Sequence, residues 1–148
     1  MEEQKENFEA PINSNTPDKT GGKSIYIGVW KKYATFKGRA RRKEYWTFTL
    51  CNLIIDLAIY SLLVACNISK LYIVSIIISI ILILWILSLI IPSLALFVRR
   101  LHDINRSGWW FFIGFVPYVG GIVLLIFMLL NGTTGDNKYG PDPKQISQ

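Results

Sequence analysis

The amino-acid sequence predicts an all-α integral membrane protein, with three transmembrane helices preceded by a basic amphipathic interfacial helix. Three observations predict it. Residues 1–44 carry most of the charge, whereas residues 71–98 and 109–130 carry none. Three apolar stretches, 46–68, 71–98 and 109–130, are each of the length a helix needs to cross a hydrocarbon core of about 30 Å. Lys and Arg cluster ahead of the first stretch and between the second and third, as they do around cytoplasmic ends of membrane helices. The 148 residues suffice for one domain.

Residues 1–24 read as a polar tail. The stretch is rich in Asn, Pro, Thr, Lys and Glu and has too little apolar surface to offset the entropy of ordering. It opens MEEQKENFEAP, which lacks the basic start and apolar core of a signal peptide, so the first apolar stretch serves as the insertion signal.

Residues 25–45 form a basic segment in two pieces. In 25–36, Ile25, Val29, Trp30, Tyr33 and Phe36 recur at helical spacing while Lys31 and Lys32 fall on another face. A short helix of this kind suits the bilayer interface, or else packs on the protein's own helices. The second piece sets Lys37, Arg39, Arg41, Arg42 and Lys43 together before Trp46, an interfacial residue.

The membrane domain, 46–130, follows. Stretch 71–98 exceeds the hydrocarbon thickness at about 1.5 Å per residue, so it tilts or projects, and Pro92 predicts a kink near its end. A link of a few residues around Lys70 makes the first two stretches an antiparallel hairpin. The third, 109–130, carries Pro117, Gly120 and Gly121 near its middle; a kinked full crossing is favoured over a re-entrant hairpin, which needs shielding by protein. Residues 131–148, rich in Gly, Asn and Pro, read as turns. Ten Lys or Arg precede the first stretch, Lys70 alone lies in the first link, and Arg99, Arg100 and Arg106 lie in the second. This places the N-terminus and second link in the cytoplasm and, with three crossings, the tail outside.

Three blocks, FKGRARRKEYW at 36–46, PSLALFVRRLHDINRSGWW at 92–110 and GTTGDNKYGPDP at 132–143, together resemble the small bacterial inner-membrane proteins catalogued as domain of unknown function 805. The resemblance covers roughly 28–144 and implies a bacterial cytoplasmic-membrane protein; it implies no activity.

Two constellations can carry chemistry. The loop groups Arg99, Arg100, His102, Asp103 and Arg106 with Asn105. Guanidiniums at this density can bind phosphate or carboxylate, with His102 and Asp103 exchanging protons; alternatively the arginines set topology while Asp103, Asn105 and Ser107 cap helix ends. Within the first span, Asp56 lies near the bilayer midplane, where a charge costs several kcal/mol unless partnered. Asn52, one turn back, or Ser79 is the expected partner, and a proton or ion relay is the functional alternative. Ser75 and Ser79 form a small-xxx-small pair suited to close helix packing, within one chain or between copies.

No cofactor or metal is expected. One His and the membrane cysteines Cys51 and Cys66, about 22 Å apart along a helix, make neither a zinc site nor a disulfide. No nucleophile elbow or phosphate loop is present, so catalysis is not expected. The net charge of +6 sits beside apolar spans, which points to lipid headgroups rather than nucleic acid. The sequence thus reads as a non-enzymatic cytoplasmic-membrane protein, alone or in a small homo-oligomer, whose basic face, Lys37, Arg39, Arg41, Arg42 and Lys43 with the 99–106 loop, binds anionic lipid or a partner protein. The alternative is a small transporter or channel component using Asp56 and the Arg99–Arg106 loop.

Overall fold

A computed structural model describes residues 22–144. The tail expected over 1–24 lies almost wholly outside the described residues; its last three residues already belong to a helix. Five helical elements follow in order: α1 (Gly22–Lys31), α2 (Arg42–Ile68), α3 (Tyr72–Asp103), a 3-10 helix (Gly108–Phe115) and α4 (Val119–Leu129). Among the described residues there is no strand, only an isolated bridge between Asn137 and Gly140.

Helices α2 and α3 are 27 and 32 residues long, about 40 and 48 Å at 1.5 Å per residue, and apolar enough to cross a membrane. Their outward faces leave Ile54, Leu57, Ile73 and Leu84 more than half exposed, the pattern of helices whose surroundings are apolar. Both end in the same way. Lys70 takes φ 58°, and its N–H and that of Leu71 return to Asn67 and Cys66 at 3.0 and 2.9 Å. Asn105 also takes φ 58°, and its N–H and that of Arg106 return to His102 and Leu101 at 3.0 and 2.9 Å. These paired bonds satisfy carbonyls that a helix end leaves orphaned. Helix α3 therefore continues five residues past the expected 98, carrying Arg99, Arg100, His102 and Asp103 on a helix rather than a loop.

Helix α1 packs its aromatic face on α2 and α3. Tyr26 stacks on Phe48 with ring centroids 5.3 Å apart, and Trp30 lies 6.2 Å from Trp85. Val29 is buried among Ala40, Phe48, Leu89 and Leu96. Lys31 and Lys32 remain exposed. Of the expected stretch 25–36, the helix ends at Lys31, and its aromatic face packs on the protein's own helices.

Pro92 sits inside α3, which runs through it unbroken. Proline has no N–H, so the Ser88 carbonyl lacks its helical donor. The Tyr33 hydroxyl donates to that carbonyl at 3.2 Å. Tyr33→Phe is therefore expected to cost about 1–3 kcal/mol, because the Ser88 oxygen is left without a partner in apolar surroundings. Tyr60→Phe, at an exposed position, is expected to cost nothing measurable. Unfolding in mixed detergent with SDS reads both; equal effects would contradict this role for Tyr33.

The single helix expected over 109–130 is not formed. The chain breaks at Val116–Tyr118, with Tyr118 at φ 63° and almost fully exposed. The 3-10 helix and α4 fold back on each other so closely that a Cβ on Gly120 would lie 1.9 Å from the Ile113 carbonyl oxygen. Trp110 packs edge-on against Phe127 at 5.3 Å, and Phe111 against Phe97 of α3 at 5.7 Å. The chain leaving this hairpin returns to the end of α3: Thr133 donates its N–H to the Asp103 carbonyl at 2.8 Å, and Gly132 packs on the Asp103 carboxylate.

Candidate functional site

The residues of the three sequence blocks converge at the end of the α2–α3 hairpin that carries Arg42 and Asp103. Asp103, at the last turn of α3, is the centre. Its Oδ1 accepts from Arg39 Nε at 3.0 Å and its Oδ2 from Arg100 Nη1 at 2.6 Å. All three side chains are buried. A planar guanidinium offers five donors; several of the others reach backbone carbonyls, while Arg100 Nε has no partner among the described residues. Arg39 donates to the carbonyls of Thr133 and Gly135, the latter at 2.7 Å. Arg100 donates to Leu130, and Arg42 to Leu129 at 2.8 Å. Leu129 and Leu130 lie at the C-terminus of α4, where carbonyls have no intrahelical donor and the dipole favours cations.

The tail is tied in by its polar side chains. Thr133 Oγ1 donates to the Asp103 carbonyl at 3.1 Å, and Asn137 Nδ2 donates to the His102 carbonyl at 3.0 Å. The His102 ring stacks on Tyr139 at 3.8 Å, with 7° between planes, and its Nδ1 lies 3.3 Å from the Gly38 carbonyl oxygen. Asp142 accepts the N–H groups of Lys144 and Gly135 at 2.9 and 3.1 Å, and Asp136 accepts the N–H of Asp142 at 3.3 Å. The Lys144 and Gly135 amides and the nearby charge of Arg39 hold the Asp142 carboxyl below its ordinary range, against the opposing effect of burial. Among the caps expected, Ser107 accepts the Trp109 N–H at 3.4 Å, whereas Asp103 is engaged by arginines.

The ten basic-face candidates thus sort into two groups. Arg39, Arg100 and Asp103 form one buried cluster with His102 beside it, and Arg99, only 2 % exposed, donates Nε to Ala95 at 3.4 Å while its Nη2 has no partner among the described residues. Lys37, Arg42 and Lys43 stay exposed, Arg41 is half-buried, and the exposed Arg106 lies 5.3 Å over the Trp110 ring. No hydrogen bond joins the His102 and Asp103 side chains among the described residues: the His102 ring stacks on Tyr139, and the Asp103 carboxylate is held by Arg39 and Arg100.

Asp56 and Asn52 take partners other than those expected. The Trp85 indole N–H donates to Asp56 Oδ1 at 3.0 Å, and the Tyr26 hydroxyl donates to Asn52 Oδ1 at 3.0 Å. Ser79 instead donates to the Ser75 carbonyl, and Ser75 to that of Tyr72, each at 2.8 Å. A buried indole N–H needs an acceptor, which is the sequence signal that could have paired Trp85 with Asp56. The cavity beside Asp56 is lined by none of Arg99, Arg100, His102, Asp103 and Arg106.

Two long apolar helices, a shorter apolar one, and a polar cluster confined to one end define a helical membrane protein. The chain belongs to the family described as "Protein of unknown function (DUF805)", whose model matches residues 33–141. It is 46 % identical over 119 residues to inner membrane protein YhaI of Escherichia coli (strain K12), covering 80 % of this chain and 94 % of that one. Inner membrane protein YhaH of the same strain is 39 % identical over 119 residues, covering 80 % and 95 %. The uncharacterized protein YiiR is 29 % identical over 137 residues, covering 76 % and 88 %. No solved structure matches. The matched stretch contains Arg39, Arg100 and Asp103.

Proposed function

We propose that this is a non-enzymatic cytoplasmic-membrane protein whose exposed basic face holds anionic lipid headgroups. In this reading α2 and α3 cross the bilayer and the hairpin of the 3-10 helix and α4 re-enters from the cytoplasmic side. The N-terminus and the tail then share the cytoplasm. The observation that carries the reading is the sorting of cations at one end of the bundle. Arg39 and Arg100 are buried against Asp103 and backbone carbonyls, while Lys37, Arg42, Lys43 and Arg106 keep exposed side chains, Arg42 with one donor on the Leu129 carbonyl, at the same end as the exposed Trp109. Lys70 alone marks the opposite end, as the positive-inside rule requires of an outer link. The meeting of Gly132 and Thr133 with Asp103 supports the return of the hairpin to its own side.

In neutral detergent, phosphatidylglycerol is expected to raise the thermal midpoint well above the effect of phosphatidylcholine, and added salt to erase the difference. Changing Lys37, Arg42, Lys43 and Arg106 together to Gln is expected to lower the anionic-lipid affinity by at least tenfold, given about 1 kcal/mol per basic residue at such a surface. Unchanged affinity in that variant would sink the lipid reading. A reporter fused after the tail is expected to be active in the cytoplasm only; activity outside would sink the re-entrant hairpin.

A further inference from the structure

A cavity of about 520 Å³ lies between α2 and α3, lined on α2 by Thr49, Asn52 and Asp56, on α3 by Ser93 and Leu94, and closed by Phe111 of the 3-10 helix. Its size is that of a small-molecule site. Its rim residues Leu53 and Ile90 are half exposed on the apolar face that α2 and α3 present outward, so the molecules at its mouth in a bilayer are lipids.

The polar atoms inside are unequal. Asn52 is used at both ends, accepting from Tyr26 and donating to the Phe48 carbonyl at 2.8 Å. Asp56 takes the Trp85 N–H on one oxygen; its second oxygen and the Ser93 hydroxyl make no hydrogen bond among the described residues. An ionisable side chain at this depth is costly unless a partner is supplied. No Lys or Arg lines the cavity, so a phosphate head would meet a carboxyl and no cation. A bare hydrocarbon would leave Asp56 and Ser93 unanswered. A cationic head would bring a desolvated ion, whose cost can exceed the attraction gained.

We propose that this cavity binds one membrane lipid with an uncharged, hydroxyl-bearing head, its hydroxyl held by Asp56 and Ser93 and its chain lying along Leu94 and Phe111. The site is separate from the basic face and does not depend on headgroup binding there.

The test uses the full chain in phosphatidylcholine vesicles with photoactivatable diazirine probes: a diacylglycerol, an isoprenoid alcohol, a phosphatidylglycerol, a long-chain amine and an alkane. One or both hydroxyl probes are expected to label peptides spanning 45–56 and 89–97 about fivefold above the others, the worth of one hydrogen bond. Which of the two labels better identifies the chain type. Leu53→Trp, which fills the cavity from its half-exposed rim, is expected to abolish that excess, and Asp56→Leu to lower it about fivefold. Leu57→Trp, outside the cavity, should leave it unchanged. Equal labelling by all probes, preference for the anionic or amine probe, or labelling indifferent to Leu53→Trp would overturn the proposal. Glutamine at Lys37 and Lys43 should not alter the labelling, which keeps this site distinct from the basic face.

Discussion

Asp103→Ala is expected to be the most damaging single substitution in the chain, at about 3–5 kcal/mol, because it leaves buried guanidiniums without their counter-charge. Arg39 and Arg100 each give Asp103 a charged hydrogen bond, at 3.0 and 2.6 Å. The loss also spreads. Arg39 holds the tail carbonyls of Thr133 and Gly135, and Arg100 holds the end of α4 at Leu130. Asp103→Asn keeps the shape but turns one acceptor into a donor facing a guanidinium, so it should be nearly as harmful. The informative comparison is Arg39→Met with Arg100→Met and Asp103→Leu. Replacing a whole buried ionic cluster by apolar groups is often neutral, so the triple variant should recover stability relative to Asp103→Ala, less what the backbone carbonyls lose. Reversible unfolding in mixed detergent and SDS, followed by circular dichroism, measures each. An Asp103→Ala protein within about 1 kcal/mol of the parent would show that the cluster is solvated in the membrane-embedded protein.

How much of this was legible in the sequence depends on the range of the interaction. The two long helices were, because charge segregation and apolar length act within one segment: α2 and α3 enclose the stretches 46–68 and 71–98, apart from Leu71. The family was legible because its three blocks occur together. What the arginines do was not. A basic loop facing lipid and one folded onto a carboxylate have the same composition, and only the position of the tail, about thirty residues on, separates them. The partner of Asp56 was missed for a related reason. Asn52 is the neighbour along one helix, whereas Trp85 becomes a neighbour only through the α2–α3 pairing. Stretch 109–130 has the apolarity of a crossing helix, and hydropathy does not distinguish a crossing from a hairpin. The break at Val116–Tyr118 is local, but what turns it into a return is the attachment of Gly132 and Thr133 at Asp103.

That return can be tested at two adjacent glycines. Gly120→Ala is expected to destabilise by about 3 kcal/mol, at the upper end of overpacking costs. Its Cβ would fall 1.9 Å from the Ile113 carbonyl oxygen and 3.0 Å from Gly114 Cα, both backbone atoms that no rotamer change can move aside. Gly121→Ala meets nothing within 4 Å, so alanine there is expected to stabilise α4 by up to about 1 kcal/mol through helix propensity alone. Neighbouring, chemically identical changes should therefore differ in sign. In a single crossing helix over 109–130, neither position would face the backbone of Ile113, because the two lie on the same helix. Equal effects at 120 and 121 would therefore favour the continuous helix. The damage at Gly120 should also reach the cluster, because α4 ends on Leu129 and Leu130, which Arg42 and Arg100 hold. Amide exchange at residues 133–140 is the readout. It should accelerate in Gly120→Ala and stay at parent rates in Gly121→Ala, since only the first forces the two arms apart and pulls the α4 terminus from the arginines.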